Sequence, residues 1–229
     1  MKKTLWIAMV GALVASVVAA SAQEVLSANA VGYIKKTLPA GGDLVMMSIP
    51  LNSMTESDIV FGRTSVAQEA PVGSYVYFWD ATGQAWTLGV KGGKGWQAAQ
   101  SNRVIAAGEG FFLQGPPTTN YNVDVTITGE VPPDPEMVRA VPGNNALGTV
   151  ANPYPVDFKF GESTLAQTAS VGSYVYFWDI TGQAWSLGVK GGKGWQAAQS
   201  NKVVEAGEGF FLQEVVSMSW TNAKPYTWP

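Results

Sequence analysis

The sequence predicts an all-β protein of two tandem homologous units, each a small β-sandwich or partly open barrel of about six to eight strands. A block of 43 residues occurs twice, at 72–114 and 171–213, with a constant offset of 99. Segments of alternating apolar and polar residues recur within and after each copy, as in half-buried strands. The 26 glycines and 13 prolines suit short strands joined by turns.

The first 22 residues have the pattern of a secretory signal peptide. Lys2 and Lys3 form a short basic start, residues 5–18 are apolar, and residues 20–22 (Ala-Ser-Ala) match an A-x-A cleavage site. A retained membrane anchor is the alternative, because no charged residue occurs between this basic start and Gln23. We expect cleavage before Gln23 and export to the periplasm, the cell surface or the extracellular space.

Composition excludes several classes of function. Without the two lysines of the signal peptide, the chain has 12 basic and 17 acidic residues, and this acidic balance argues against a nucleic-acid partner. Cysteine and histidine are both absent, so thiol nucleophiles, histidine triads and the common zinc sites are excluded. We therefore expect no catalytic residues, no metal site and no cofactor. No segment after the signal peptide is apolar enough to cross a membrane as a helix.

The repeat sets the domain boundaries. The two copies differ at five positions: Ala81/Ile180, Thr87/Ser186, Arg103/Lys202, Ile105/Val204 and Ala106/Glu205. Upstream of the block the match weakens and the offset becomes 103. Three prolines within residues 132–135 cannot pair in a central strand, so the boundary lies near Glu130. We predict a signal peptide at 1–22, a first unit at 23–130 and a second at 131–229. The near-identity indicates either constraint on every residue or recent duplication.

The elements within each unit follow from local patterns. A strand begins near Gly73 and ends in a tight hairpin turn from Asp80 to Gly83, in which Gly83 is expected to take a positive φ. No run of ten or more residues has a clean helical period. The remaining predicted elements are a return strand at 86–90, at most one helical turn at 97–102, a turn at 108–110, and strands at 111–114, 121–128 and 216–221.

The first strand of the block has aromatic residues on both faces. Val76 and Phe78 share one face, and Tyr75, Tyr77 and Trp79 share the other. Two interpretations remain open: the aromatic row packs against its twin about a pseudo-two-fold axis, or it forms an exposed platform that stacks on sugar rings. The second interpretation gives the candidate ligand-binding residues Tyr75, Tyr77, Trp79, Trp86, Lys91, Lys94 and Trp96, with their twins Tyr174, Tyr176, Trp178, Trp185, Lys190, Lys193 and Trp195.

The glycine-rich loop VKGGKGW at residues 90–96 is not a phosphate-binding loop. Its spacing differs from the Walker pattern, and Gly95 stands where Ser or Thr is required. We expect a flexible turn in which Lys91 and Lys94 are solvated. The alternative is that these lysines touch a glycan beside the neighbouring tryptophans.

Two repeated acids are the candidates for glycoside hydrolysis. Asp80 and Glu109 recur as Asp179 and Glu208. A glycosidase needs two carboxyl groups that face each other across about 5 to 9.5 Å. Both acids lie in predicted turns, where Asp is common for backbone reasons, and nothing in the sequence brings them together.

Several short runs carry a family resemblance. The segments AVGYIKKTLPAGGDLVMMSIPLN, YFWDATGQAW, AGEGFFLQ and VTITGEV resemble those of a loose group of exported two-repeat β proteins from environmental Gram-negative bacteria. The resemblance implies export and a two-repeat β architecture, and it transfers no functional residues. The chain departs from the group's pattern in its repeated KGGKGWQAAQSN segment.

These observations favour a non-catalytic exported structural or interaction protein of the cell surface or extracellular matrix. Its expected partners are polysaccharides, other surface proteins or a second copy of the chain. The alternative is a carbohydrate-binding module that uses exposed Trp and Tyr platforms.

Overall fold

The computed structural model describes residues 30–227 and confirms the all-β prediction with two similar tandem units. The predicted signal peptide lies outside the described residues. Within them each unit has nine strands, three of only two residues. The first unit comprises β1 (Val31–Leu38), β2 (Leu44–Ser48), β3 (Ile59–Val60), β4 (Tyr75–Asp80), β5 (Ala85–Gly92), β6 (Gly95–Trp96), β7 (Val104–Ile105), β8 (Gly110–Gln114) and β9 (Val123–Glu130).

The second unit repeats this order. Its strands are β10 (Glu136–Val141), β11 (Leu147–Ala151), β12 (Phe158–Lys159), β13 (Tyr174–Asp179), β14 (Ala184–Gly191), β15 (Gly194–Trp195), β16 (Val203–Val204), β17 (Gly209–Gln213) and β18 (Met218–Ala223). Four short helices are α1 (Ser65–Glu69), α2 (Ala98–Ser101), α3 (Thr164–Thr168) and α4 (Ala197–Ser200). Short 3-10 turns cover Ala40–Gly42, Phe61–Arg63 and Phe160–Glu162.

Each unit is built from an open five-stranded antiparallel sheet and two-stranded ribbons. The strand orders of the large sheets are β2-β8-β4-β5-β6 and β11-β17-β13-β14-β15. In the first unit β1 pairs with β9 and β3 with β7, and in the second β10 pairs with β18 and β12 with β16. The two units therefore share one topology.

The core of each unit lies between its five-stranded sheet and its long ribbon. In the first unit Val76 and Phe78 of β4 point into this core, as their alternation predicts, and meet Val125 and Ile127 from β9. The ring of Phe61 contacts Phe78 edge to face, with centroids 5.2 Å apart. Because these side chains are almost completely buried, the hydrophobic effect on each contributes about 1.5–3 kcal/mol.

Helix α1 was not predicted, since five residues are too few to show a helical period. Its N-terminus is capped by Thr64, whose hydroxyl oxygen accepts a hydrogen bond from the Ala67 N–H at 3.2 Å. Ser163 caps α3 in the same way at 3.1 Å. Val66 and Ala67 are buried in the core of the first unit, so one face of the helix packs into it.

The predicted hairpin turn between β4 and β5 is present, with one correction. The carboxylate of Asp80 accepts a hydrogen bond from the Thr82 N–H at 2.9 Å, as expected for a turn aspartate. The positive φ belongs to Gln84 (50°) rather than to Gly83. A Cβ at position 83 would lie 2.7 Å from the Asp80 carboxylate, so a larger residue there would displace this side chain from the turn. The left-handed conformation at Gln84 directs the chain into β5.

The outer faces of the two large sheets pack on each other through reciprocal contacts. The Ser48 N–H donates to the Gly207 carbonyl at 2.9 Å, and the Ala151 N–H donates to the Gly108 carbonyl at the same distance. The two bonds are equivalent to each other with the units exchanged, so the units are related by a pseudo-two-fold axis. Gly209 lies beside this axis, where an added Cβ would be 3.1 Å from the Gly110 Cα.

No helix within residues 30–227 has the length and apolar character needed to cross a membrane.

Candidate functional site

Six aromatic rings meet between the units and form what we call the junction cluster: Trp79, Trp86, Phe112, Trp178, Trp185 and Phe211. Trp79 contacts Phe211 edge to face at 5.4 Å, and Trp178 contacts Phe112 in the same way at 5.1 Å. Trp86 touches both phenylalanines, at 5.4 and 5.6 Å. Edge-to-face pairs contribute about 0.5–1.5 kcal/mol beyond area burial, so the cluster holds the units together.

The indoles of Trp79 and Trp178 are committed to this junction. Trp79 Nε1 donates to the Leu147 carbonyl at 2.8 Å, and Trp178 Nε1 donates to the Leu44 carbonyl at 2.8 Å. Both rings are half-buried, with their N–H groups used. Of the two interpretations of the aromatic row, these bonds favour packing against the opposite unit over an exposed platform for Trp79 and Trp178.

Two glutamines reinforce the same junction. Gln84 Oε1 accepts from the Leu147 N–H at 2.9 Å, and its Nε2 donates to the Leu147 carbonyl at 3.0 Å. Gln183 makes the equivalent pair of bonds with Leu44, at 2.9 and 3.2 Å. Leu44 and Leu147 lie on the edge strands β2 and β11, so the opposite unit satisfies backbone groups that an edge leaves open.

Trp86 and Trp185 differ from the other indoles of the repeated blocks. Each is 39% exposed, and neither indole N–H makes a hydrogen bond to any residue between 30 and 227. The neighbouring Leu88 and Leu187 on β5 and β14 are 47% and 50% exposed. The two strands therefore present an apolar surface that carries two unused N–H donors.

An open cleft of about 330 Å³ lies at this surface, and we call it the aromatic cleft. It is lined by Leu44, Tyr77, Trp86, Phe112, Trp178 and Trp185. The Tyr77 hydroxyl donates to Gln114 Oε1 at 2.8 Å. Burial raises the pKa of Tyr77, with a further contribution from Tyr75, so this phenol stays neutral at physiological pH. A volume of this size suits one small ring system.

The remaining tyrosines of the rows extend away from the cleft. Tyr176 donates its hydroxyl to Gln213 Oε1 at 2.7 Å, and its ring lies 6.5 Å from that of Tyr174. Tyr75 is half-buried, and Tyr174 is 36% exposed. These residues continue the aromatic face of β4 and β13 without lining the cleft.

Trp96 and Trp195 are structural residues, which corrects their prediction as ligand contacts. The Trp96 indole N–H donates to the Ala67 carbonyl at 2.8 Å, and its ring packs edge to face on Phe61 at 5.1 Å. Trp195 makes the same contacts with Ala166 and Phe160, at 2.8 and 5.1 Å. Each indole thus joins the glycine-rich loop to a short helix.

Lys91 is partly exposed, but its ammonium group is fully hydrogen-bonded to the protein and is not free to bind a glycan. Its Nζ donates to three backbone carbonyls at the end of α1, those of Ala67, Gln68 and Ala70, at 2.8, 2.7 and 2.7 Å. All three ammonium hydrogens are used, and burial lowers the pKa of Lys91 below its ordinary value. Lys190 repeats the arrangement at α3, with carbonyls of Ala166, Gln167 and Ala169.

Lys94 and Lys193 are exposed at the tips of the same loops, as predicted for solvated turn residues. Neither makes a hydrogen bond or ion pair with another residue in the described part of the chain. Because Lys91 is fixed and Lys94 is not, the two lysines of the loop have different roles.

The repeated acids of the first unit have structural partners. Asp80 closes the hairpin turn, and Glu109 accepts from Arg103 Nη2 at 2.6 Å and from the Ala106 N–H at 3.0 Å. Within residues 30–227, no group of three or more acids lies close enough together to hold a metal ion.

No protein-family model matches the sequence, and the comparisons with curated proteins and with solved structures gave no match. A function must therefore be inferred from the geometry of the chain's own residues.

Three residues that build the cleft and its junction are not among the candidates predicted from the sequence: Leu44, Gln84 and Phe112. A pattern did exist for Phe112, because β8 pairs beside β4 and places Phe112 opposite Tyr77 on the same face. Gln84 is also repeated after both hairpin turns. Its contact with the other unit depends on how the units dock, which local patterns do not encode.

Proposed function

We propose that the protein is a non-catalytic interaction protein, exported to the cell surface or extracellular matrix, that binds its partner through the aromatic cleft. The observation that carries this proposal is the contrast among the repeated indoles. Four of them donate to backbone carbonyls, whereas those of Trp86 and Trp185 are exposed with their N–H groups unused. Export is supported by the N-terminal sequence pattern.

The surface around the cleft has the character of a binding site. Trp is the residue type most enriched among energetically dominant interface contacts, because a large rigid ring is buried with one polar group available. Leu88 and Leu187 extend the apolar area next to the two indoles. A partner that covers these four side chains would remove apolar surface from water and pair two donors.

The test compares binding of the fluorescently labelled mature protein to isolated cell envelopes of the producing organism. The double variant Trp86→Ala/Trp185→Ala should lose this binding and retain the circular dichroism spectrum of a β protein. Tyr121→Ala is the control, since Tyr121 is an exposed aromatic residue outside the cleft. Envelope binding by the double variant at the level of the parent would contradict the proposal.

A carbohydrate-binding module is the second candidate. It is favoured by the flat, exposed indole rings, which can stack on sugar rings while each N–H donates to a hydroxyl. Binding of a polysaccharide should then quench tryptophan fluorescence, and the double variant should lose that response. Quenching by polysaccharide that persists in the double variant would exclude the aromatic cleft as the sugar site.

A further inference from the structure

A second, larger groove of about 800 Å³ adjoins the aromatic cleft, and we call it the junction groove. One wall is formed by Lys35, Lys36 and Thr37 of β1 in the first unit. The opposite wall belongs to the second unit, from the end of β13 through its hairpin to α4 and the turn before β17. Trp178 lines both the groove and the aromatic cleft, so the two are neighbours across one indole.

The two copies of the repeat diverge at this groove. Of the five positions that differ between the 43-residue blocks, four line it in the second copy: Ile180, Ser186, Lys202 and Glu205. Only about a quarter of the residues in the second block line the groove. Differences left by undirected drift would be spread over the whole block. Their concentration indicates that this face of the second unit has acquired its own role.

Gln199 supplies an unused acceptor at the groove. Its side chain is almost completely buried, at 5% exposure, and its Oε1 has no hydrogen-bond partner among the described residues. Its Nε2 donates to the Leu187 carbonyl at 3.0 Å, which fixes the amide orientation. This oxygen is closed off from solvent, and a buried acceptor without a partner costs about 1–3 kcal/mol, so a shift of the lining side chains that let a ligand hydroxyl reach it would be favoured.

The charges of the groove balance. Lys36 pairs with Glu205 at 3.4 Å and Lys202 with Glu208 at 2.9 Å, while Lys35 pairs with Asp124 at 2.6 Å. Three lysines and the three acids Asp179, Glu205 and Glu208 line the groove. The groove therefore offers many charged donors and acceptors with no net charge, which suits a neutral ligand rich in hydroxyl groups.

We propose that the junction groove binds a neutral oligosaccharide, with Trp178 as an apolar wall, and that a small shift of the lining side chains lets Gln199 Oε1 accept from a sugar hydroxyl. Vicinal hydroxyls can pair with the ammonium and carboxylate groups that line the groove, and the volume lies in the range of small-molecule sites. The proposal deepens the carbohydrate-binding candidate, on which it rests for its ligand class, but it assigns the sugar to a different site.

A purely structural explanation of the divergence makes a different prediction. Lys36 of the first unit is equivalent in position to Arg139 of the second, and Ala106 is equivalent to Glu205. Glu205 pairs with Lys36, whereas the equivalent residues Ala106 and Arg139 cannot form an ion pair. If the four differences only adjust this packing, exchanging them would change the free energy of unfolding and leave ligand binding unaltered.

The test exchanges residues between the copies. The variant I180A/S186T/K202R/E205A, which we call the groove exchange, gives the groove the residues that the first copy already carries at equivalent positions. Its fold should therefore be retained. The matched control A81I/T87S/R103K/A106E makes the reverse exchange outside the groove. Binding of cello-, xylo-, manno- and chito-oligosaccharides is measured by isothermal titration calorimetry, and thermal unfolding is followed for each protein.

The parent should bind at least one of these oligosaccharides, and the groove exchange should weaken that binding by about tenfold or more. Gln199→Met should act in the same direction, whereas Gln100→Met at the twin position and the reverse exchange should bind like the parent. Binding by none of the oligosaccharides would overturn the proposal. Equal binding by the groove exchange and the parent would do so too.

The outcome also separates this site from the aromatic cleft. If the groove exchange loses oligosaccharide binding and retains envelope binding, the groove proposal is supported. This conclusion does not depend on whether Trp86→Ala/Trp185→Ala loses envelope binding. Loss of oligosaccharide binding only in Trp86→Ala/Trp185→Ala would assign the sugar to the cleft and overturn the groove. Asp179 and Glu208 both line the groove, so hydrolysis of the oligosaccharide is also measured through the release of new reducing ends. Such release would overturn the proposal that the groove only binds its ligand.

Discussion

Trp79 of the first unit donates its indole N–H to the carbonyl oxygen of Leu147 in the second, at 2.8 Å. Its twin Trp178 returns the same bond to Leu44, also at 2.8 Å. The repeat therefore builds a two-fold junction inside one chain, in which each unit satisfies the edge of the other. Residues that serve this junction are expected to affect stability, and those on its exposed side to affect binding.

Trp79→Ala should lower the free energy of unfolding by about 3–5 kcal/mol, since it removes a packed ring and its hydrogen bond. Trp86→Ala, in the same cluster, should cost less, because Trp86 is more exposed and its N–H is unpaired. Urea denaturation followed by circular dichroism measures both. Equal losses for the two variants would contradict the assigned roles.

Gly209→Ala should destabilise the protein by about 1–3 kcal/mol, because the new methyl group meets backbone atoms of the opposite unit. The added Cβ would lie 3.1 Å from both the Gly110 Cα and the Met47 carbonyl oxygen. Gly93→Ala is the control, since nothing lies within 4 Å of its added Cβ. The midpoint of thermal unfolding should fall only for Gly209→Ala. An unchanged midpoint there would mean that the sheets can move apart freely.

Lys91→Met should lower the free energy of unfolding by about 1–3 kcal/mol, since the carbonyls at the end of α1 lose a shared donor. Met keeps the length and apolar stem of the side chain. Lys94→Met, three residues later in the same loop, should be near neutral, because Lys94 is exposed. Chemical denaturation of the two variants provides the comparison, and a similar effect at both positions would argue against the fixed role of Lys91.

Stability should fall at alkaline pH through Tyr226. Burial raises the pKa of Tyr226 to about 12 from the ordinary 10.0, with Tyr154 and Asp134 adding to the shift. The folded protein therefore keeps this proton in a range where the unfolded chain loses it, so the contribution is present below pH 10 and is lost as pH rises towards about 12. Tyr226→Phe cannot ionise.

The measurement is urea unfolding at about pH 9 and about pH 11. The free energy of unfolding should drop between these values in the parent, and the drop should be smaller in Tyr226→Phe. The variant also loses the hydrogen bond from the hydroxyl to the Pro132 carbonyl, 2.8 Å long, so only the difference between the two pH values is compared. An equal drop in both proteins would exclude this phenol as its source.

Local patterns predict the strands and their faces well. The alternation in SYVYFW correctly places Val76 and Phe78 on one face and Tyr77 and Trp79 on the other, because the side-chain period of a strand is independent of its partners. The turn after Asp80 follows from equally local chemistry. Its left-handed residue was misplaced by one position, from Gln84 to Gly83, because glycine is the default choice for a positive φ.

The roles of the individual side chains could not be predicted in the same way. Lys91 and Lys94 are the same residue type in one loop, yet only Lys91 reaches the end of α1, a helix too short to detect. Trp79 and Trp86 are likewise neighbours across one hairpin, and their difference in exposure arises from the docking of the units. Such distinctions depend on long-range geometry, which a single sequence does not display.

The reciprocal bonds of Ser48 with Gly207 and of Ala151 with Gly108 imply that the two units, or halves, recognise each other through their own surfaces. This recognition does not depend on the covalent connection between them. Two separate polypeptides, each carrying one half, would meet the same set of donors and acceptors.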